Sequence, residues 1–468
     1  MKAREKTISS TSDVSQQKGL PKKGPTSKAV RRKKKYSEVS TKLEFIEGMR
    51  AVAALYVVLS HFCTMVDAKF IDTGKSIATP LLQALMAPFW HGHLAVAAFI
   101  VLSGFSLQYG LYQRGDGRVY GLGKFFKRRA LRILPAYYAC LGLSYLVCLY
   151  VTIPNGAVAP FRNYVPITND SLWAHILLVH NWSVDWMYKI NGVLWSIAIE
   201  GQLYLLFPFM ILVMQKRSPL TLLFATIIPT ILVVNYLPGA GKTYSWFAIL
   251  FVFGMLAAHF SYRPSLKIGP KAGTGIFLSV VGALVTVGIV TNNLLQGKTF
   301  ADTPTLISSD IAFGLSTATF LYAATVAPGS WIERFFSMKW LVKIGIFSYS
   351  LYLLHHPILQ IFYVNKPPTI LGSENTMLYL LGAAFPTILV VSWIFSLIFE
   401  RPFVKSRLPM GIAAEAAVAK IALPMKALSE IRMVSQPNGV PHFAEETLDT
   451  KKPLKKSKGS RKGGASLY

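Results

Sequence analysis

The chain has 468 residues, of which 52% are hydrophobic and 15% charged, with a mean hydropathy of +0.42 and a formal charge of +28. Soluble domains spend about a quarter of their residues on charge, so this balance excludes an ordinary soluble enzyme and indicates a multi-pass membrane protein. The cations crowd beside apolar runs, which points to anionic membrane lipid and the positive-inside rule and away from nucleic acid.

Residues 1–42 form a polar tail rich in Ser, Thr and Lys, with RRKKK at 31–35, and are expected to be disordered. The apolar run that follows is too long for a signal-peptide core, so no cleaved leader is expected. About ten spans are read, near 43–66, 83–110, 131–152, 193–214, 219–237, 244–261, 273–292, 309–328, 341–363 and 377–399. They are expected to be helices, because isolated strands would leave unpaired edges in lipid. The fold class is therefore all-α, a polytopic transmembrane helical bundle at 43–403 between two disordered basic tails, 1–42 and 404–468. Basic loops around Lys127, Lys216, Arg263, Lys267, Lys271 and Arg334 alternate with poorer ones, which places both termini in the cytoplasm, at the plasma membrane or an endomembrane. In the longest outer loop, 153–192, Trp173, Trp182 and Trp186 suit an interfacial cap.

The first span carries Arg50 and His61 eleven positions apart, three helical turns, so they share a face roughly 16 Å apart along the axis. Ionisable groups inside hydrocarbon normally turn toward protein or a wet cavity and mark a functional site; a snorkelling Arg50 and a packing His61 are the plainer alternatives. His91 and His93 open the second span, but two imidazoles separated by one residue do not share a helix face and argue weakly for a metal; an interfacial or substrate-side role suits them better. Lys127, Arg128, Arg129 and Arg132 crowd the entrance to the third span, and Arg129 with Arg132, three apart, can address one anion. The positive-inside rule alone also supplies such cations. Glu200 in the fourth span must take up a proton or pair with a His or Arg of another helix, an unpaired carboxylate there being very costly. In the ninth span Ser348, Tyr352 and His355 form a polar stripe, while His356 is expected to point elsewhere. His61, Glu200 and His355 are expected to share a cavity in the outer half. The cysteines Cys63, Cys140 and Cys148 form neither a disulfide framework nor a metal spacing, and no metal is expected.

These residues stand in stretches that together resemble the acyltransferase-3 family of integral-membrane acyltransferases: FIEGMRAVAALYVVLSHF, GHLAVAAFIVLSGF, RRALRILPAYY, LWSIAIEGQLYLLFP and SYSLYLLHHPI, in that order from about 43 to 403. Arg50 and His61 fit the family's Arg, ten residues, His pattern, and Arg129 with Arg132 its Arg-x-x-Arg pair. The resemblance implies an acyl-CoA donor from the cytoplasmic side, a catalytic His61, and Arg50, Arg129 and Arg132, with Arg128 beside them, at the CoA mouth. The chain departs from the pattern at Glu47, where Asp is common, at Ala51, where Gly is, and at Ala97 and Ala98, where an Asp or bulky residues are usual.

The expected chemistry is acetyl or short acyl transfer from acyl-CoA, acetyl-CoA first among donors, to a hydroxyl of a glycan, lipid or other small acceptor. His61 serves as general base or carries the acyl group itself. Glu200 orients an imidazole or the acceptor, and His355 or Tyr352 donates to the developing oxyanion. A polytopic small-molecule transporter is the rival reading, although no internal repeat supports it, and a membrane sensor or scaffold is a third.

Overall fold

The structure is a computed structural model that describes residues 27–403, except 74, 157–160, 238, 240–241, 263–271, 296–302 and 328, and gives 27–43, 71–73, 272 and 293–295 by their backbone alone. The expectations for the tails 1–26 and 404–468, and for Arg263, Lys267 and Lys271, lie outside these residues. Every described residue belongs to one unit, Met1–Leu408.

Helix is the element that satisfies its own backbone in lipid, and the described residues form no strand. The helices that matter here are α1 (Ser27–Val66), α2 (Gly92–Arg114), α3 (Leu122–Val147), α4 (Trp195–Lys216), α5 (Pro219–Tyr236), α6 (Phe247–Tyr262), α7 (Ala272–Leu295), α8 (Thr303–Val326), α9 (Lys339–Ile346), α10 (Ser348–Val364) and α11 (Phe385–Phe399). Among the described residues, eight helical stretches are long and apolar enough to cross a membrane: Glu44–Val66, Pro80–Arg114, Leu122–Thr152, Trp195–Lys216, Pro219–Tyr236, Gly273–Asn292, Thr303–Val326 and Gly372–Phe399. The other two expected spans differ from the sequence reading. Near 244–261 the chain forms the shorter α6, and the run 341–363 is broken at Phe347 into α9 and α10. Backbone helix in α1 also reaches back to Ser27, into the segment expected as a tail.

Small residues set how closely the helices approach. In lipid no hydrophobic force separates helix from helix, so association rests on close packing at Gly, Ala and Ser. A Cβ on Gly104 would lie 2.1 Å from the Phe251 carbonyl oxygen, and one on Gly254 would lie 2.0 Å from that of Val101, so α2 and α6 cross backbone against backbone. The Arg50 end of α1 is gripped in the same way. Gly48 leaves room for the Phe336 carbonyl and Gly345 of α9 for that of Glu47. This grip fixes α9 against α1 while α10 turns away to present its own polar face, which accounts for the break that hydropathy did not signal. The stretch ending in α2 is the most enclosed, 78% buried, whereas α5 and α7 are 17% buried and lie at the periphery.

Proline inside α10 organises the far end. Pro357 has no N–H, so the carbonyl four residues back, that of Leu353, loses its helical donor. Cys140 Sγ of α3 at 3.2 Å and Asn191 Nδ2 at 3.4 Å supply it, and Asn191 Nδ2 also donates to Ser144 Oγ at 3.0 Å. The segment 161–194 is thereby tied down over the His61 end as a cap. Tyr137 and Tyr138 of α3 donate to the carbonyls of His175 and Ile176, both at 2.8 Å. Trp173 and Trp182 face outward from this cap.

Overpacking the α2–α6 crossing should destabilise the protein. Gly104→Ala is expected to cost about 1–3 kcal/mol and lower the thermal midpoint of the detergent-purified protein, whereas Gly142→Ala, with nothing within 4 Å of the new methyl, should leave it unchanged. Equal midpoints for the two variants would contradict the close crossing.

Candidate active site

Two polar clusters lie three turns apart on one face of α1. At the Arg50 end, the guanidinium donates to Glu47 Oε1 at 2.7 Å and to Ser106 Oγ of α2 at 2.9 Å. Arg132 of α3 stands within electrostatic range of Glu47, Glu200 and Glu400, and Arg129 within range of Glu200 and also of Arg114 and Arg132. Arg129 lies 5.7 Å from the Tyr204 ring centroid, and its buried Nε has no hydrogen-bond partner. Several cations held together with an unpartnered N–H form a place where an anion is favoured. Arg128 is not part of it: exposed, it donates to the Lys124 carbonyl of its own helix at 3.0 Å.

Glu200 sits partway along the path and away from the imidazoles. Its Oε1 accepts from Ser103 Oγ at 2.8 Å and from Tyr204 at 2.5 Å. Ser103 is three residues from Ser106, the partner of Arg50, and eleven from Gly92, which packs on Ser60. At 1.5 Å per residue, Glu200 therefore lies about 5 Å along α2 from the Arg50 level, nearer that end than the imidazoles. Its hydrogen bonds join it to Ser103 and Tyr204 and not to His61 or His355, with which the sequence leads one to expect a shared cavity. Ser106, Ser103 and Phe99, which meets the Tyr352 ring at 5.9 Å between centroids, recur at three- and four-residue spacing and line one face of α2 between the two clusters.

At the other end three imidazoles meet. The His61 ring lies 5.1 Å from that of His355 and 4.4 Å from that of His356, and His61 Nδ1 is 3.2 Å from His356 Nε2. His356 Nδ1 is in turn 2.6 Å from the hydroxyl of Tyr164 in the cap. Sequence periodicity sent His356 elsewhere because consecutive helical residues diverge by about 100°. A ring placed between their two directions meets both, and His61 is so placed. Tyr164 carried no signal in the sequence at all. Among the described residues, no group of three or more His, Cys, Asp or Glu could hold a metal ion.

The donor roles expected of His355 and Tyr352 do not fit their hydrogen bonds. His355 Nδ1 is 2.7 Å from the Tyr352 carbonyl, which only accepts, so Nδ1 carries the proton and the neutral ring keeps a bare Nε2, buried and without a partner. The Tyr352 hydroxyl lies 3.0 Å from the Val193 carbonyl and 2.7 Å from Ser196 Oγ, so its proton is engaged. His355 therefore offers a lone pair, and Tyr352 braces α10 against α4.

His93 has a structural partner that the sequence did not suggest. Asp310 of α8, fully buried, accepts from His93 Nδ1 at 2.8 Å and from Trp246 Nε1 at 2.9 Å, which joins α2, α8 and the turn leading into α6 through one carboxylate. In the cap, the His175 and His180 rings stack 3.9 Å apart. Burial holds His175 down to about 4; burial and the neighbouring His175 hold His180 down to about 3.

A helical bundle with cations at one end of a polar path and clustered imidazoles at the other carries costly polar groups of the kind that mark a functional site. The chain belongs to the acyltransferase-3 family, whose acyltransferase domain matches residues 43–397. It is 28% identical over 347 residues to the O-acetyltransferase OatA of Staphylococcus aureus strain NCTC 8325, covering 69% of this chain and 51% of that protein. It is 25% identical over 339 residues to a putative O-acetyltransferase of strain MSSA476, covering 67% and 50%. The chain thus spans about half the length of the curated relatives it matches. No solved structure matches it.

Two measurements follow from these contacts. Asp310→Ala strands two buried N–H donors, each costing about 1–3 kcal/mol, and should lower the thermal midpoint clearly, with Asp310→Asn, which keeps one acceptor, in between; a midpoint unchanged in both would remove this tie. The cap should loosen in acid. Its unfolded form takes up protons as pH falls through 6.5, whereas the folded rings resist until about 4 and about 3, so stability is full above 6.5 and declines toward about 3. Proteolysis within 161–190 should rise over that window, and His175→Phe/His180→Phe should flatten the dependence.

Proposed function

We propose that the protein transfers an acetyl or short acyl group from acyl-CoA, acetyl-CoA first among donors, to a hydroxyl of a glycan, lipid or small acceptor. One observation carries this reading: a single continuous helix holds a cation cluster at Arg50 and an imidazole cluster at His61, joined by the Ser106, Ser103 and Phe99 face of α2. The axial separation of about 16 Å suits an extended pantetheine arm whose phosphates rest at Arg129 and Arg132. Arg50, already paired with Glu47, fixes the mouth. The family membership and the names of the S. aureus relatives support acyl transfer, and loop charge supports placing the Arg50 end at the cytoplasm.

In this reading His61 removes the acceptor proton as the oxygen attacks the thioester carbonyl, and the proton passes to the departing CoA thiolate. Ser103, Glu200 and Tyr204 offer hydrogen-bonding groups along the path of the arm. His355, with its bare Nε2 beside His61, holds a water or the acceptor hydroxyl as hydrogen-bond acceptor. Because donor phosphates and reacting oxygen engage opposite ends, substitution at each end should have a separate effect. His61→Ala should lower turnover about 10²–10⁴-fold with CoA affinity retained. Arg129→Ala/Arg132→Ala should weaken CoA binding by at least tenfold while leaving the protein folded, the loss expected for charge-assisted phosphate contacts. Labelled acetyl-CoA turnover and CoA titration of the purified variants test both. Parental turnover in His61→Ala would overturn the assignment, as would unchanged CoA affinity in the double variant for its part.

A further inference from the structure

We infer that His356 and Tyr164 form a positioning relay for His61, doing with two neutral groups what a carboxylate does for a catalytic imidazole elsewhere; the inference rests on the acyl-transfer reading for its chemistry. The contacts run from His61 Nδ1 to His356 Nε2 at 3.2 Å and from His356 Nδ1 to the Tyr164 hydroxyl at 2.6 Å, the shorter of that hydroxyl's two approaches to the ring, the other being 3.2 Å to Nε2. Their members come from α1, α10 and the cap. His356 and Tyr164 are 5% exposed each, and the Phe161 ring closes the far side of His356 at 5.9 Å.

A single proton lies between the two facing ring nitrogens, and its position decides what His61 can do. With the proton on His61 Nδ1, that N–H donates to His356 Nε2, the His356 Nδ1–H donates to the Tyr164 oxygen, and His61 Nε2 presents a lone pair. With the relay reversed, Tyr164 donates to His356 Nδ1, His356 donates to His61 Nδ1, and His61 Nε2 carries a hydrogen and cannot accept one. The relay assigned here is the first. His355 cannot perform the same service, because its Nδ1–H is committed to the Tyr352 carbonyl and its Nε2 meets no partner.

The proton balance closes on this pair. The acceptor O–H bond breaks as the oxygen bonds to the thioester carbon, and its proton goes to His61 Nε2. The Nδ1 proton of His61 moves to His356 Nε2, which spreads the positive charge over two rings. When the C–S bond breaks, His61 Nε2 returns a proton to the thiolate, the Nδ1 proton comes back from His356, and both rings end as they began. Tyr164 keeps its own proton throughout and holds the His356 ring in register. Since Tyr164 belongs to the cap, and the backbone N–H of Ile190 donates to its carbonyl at 3.1 Å, the arrangement of His61 depends on the cap being closed.

The test reads His61 directly. Full-length protein in nanodiscs is treated with diethyl pyrocarbonate at pH 7, which acylates an imidazole nitrogen bearing a lone pair, and modification at position 61 is followed by peptide mass mapping. His61 should react readily in the parent. In Tyr164→Phe and His356→Phe the rate should fall at least fivefold, and in His356→Gln, whose amide oxygen can still accept from Nδ1–H, it should stay within twofold. Tyr164→Phe preserves shape, so the comparison survives even if His356→Phe does not fold. A parental rate in Tyr164→Phe would overturn the relay, and so would a His61 refractory in the parent. Acetyl-CoA turnover measured on the same samples separates the two claims: the labelling pattern without any acyl transfer by the parent would leave the relay standing and remove the acyl-transfer reading.

Discussion

A polar side chain carried into hydrocarbon must find its partner inside the protein, and in this chain those partners are what join the helices. Asp310 satisfies His93 and Trp246 and so fastens α2, α8 and the turn leading into α6. Arg50 satisfies Glu47 and Ser106 and fastens α1 to α2. The Leu353 carbonyl, deprived of its helical donor by Pro357, draws in Cys140 and Asn191 and so brings α3 and the cap onto α10. Apolar contact alone would not select these registers, because lipid tails are as apolar as leucine. Glycines at the crossings allow the approach, and the polar pairs decide where along the helices it occurs.

The same constraint separates the two chemical tasks. Cations gather near Arg50, which pairs with Glu47, while the buried Nε of Arg129 has no hydrogen-bond partner. Neutral imidazoles avoid the cost of buried charge and stand near His61. Glu200 accepts hydrogen bonds from Ser103 and Tyr204 and faces Arg129 and Arg132 at longer range. Among the described residues no carboxylate hydrogen-bonds His61, and the group its Nδ1 meets is a second imidazole, that of His356.

The cap links these tasks to the surroundings. Tyr164 touches His356, Asn191 reaches α3 and α10, the stacked His175 and His180 are buried, and Trp173 and Trp182 are exposed. Its helix Asn169–Ile176 starts with a capping box between Thr168 and Ser171, so the segment has local order of its own.

Sequence alone determined the class of this protein, because hydropathy is a local sum: a long apolar run is a helix in lipid whatever surrounds it, and the placement of Arg50, His61, Arg129, Arg132, Glu200 and His355 within such runs marks them as costly residues kept for a purpose. Periodicity also placed Arg50 and His61 on one face of one helix correctly, since both belong to the same rigid element. What passes between elements was decided by tertiary structure. His356 joined His61 because α1 sits between two diverging directions on α10; Tyr164 arrived from a loop without periodicity; Glu200 came to rest with Ser103 because the offset of α4 against α2 is set by packing. Arg128 and Arg129 are neighbours in sequence, yet one faces away and the other lies beneath Tyr204, and the break at Phe347 follows from the grip of Gly345 on α1. A helix's own sequence states which way each side chain points from its axis, but the distance to a partner depends on how a second axis is tilted and shifted, and that is fixed only when the small residues and polar pairs of both helices meet.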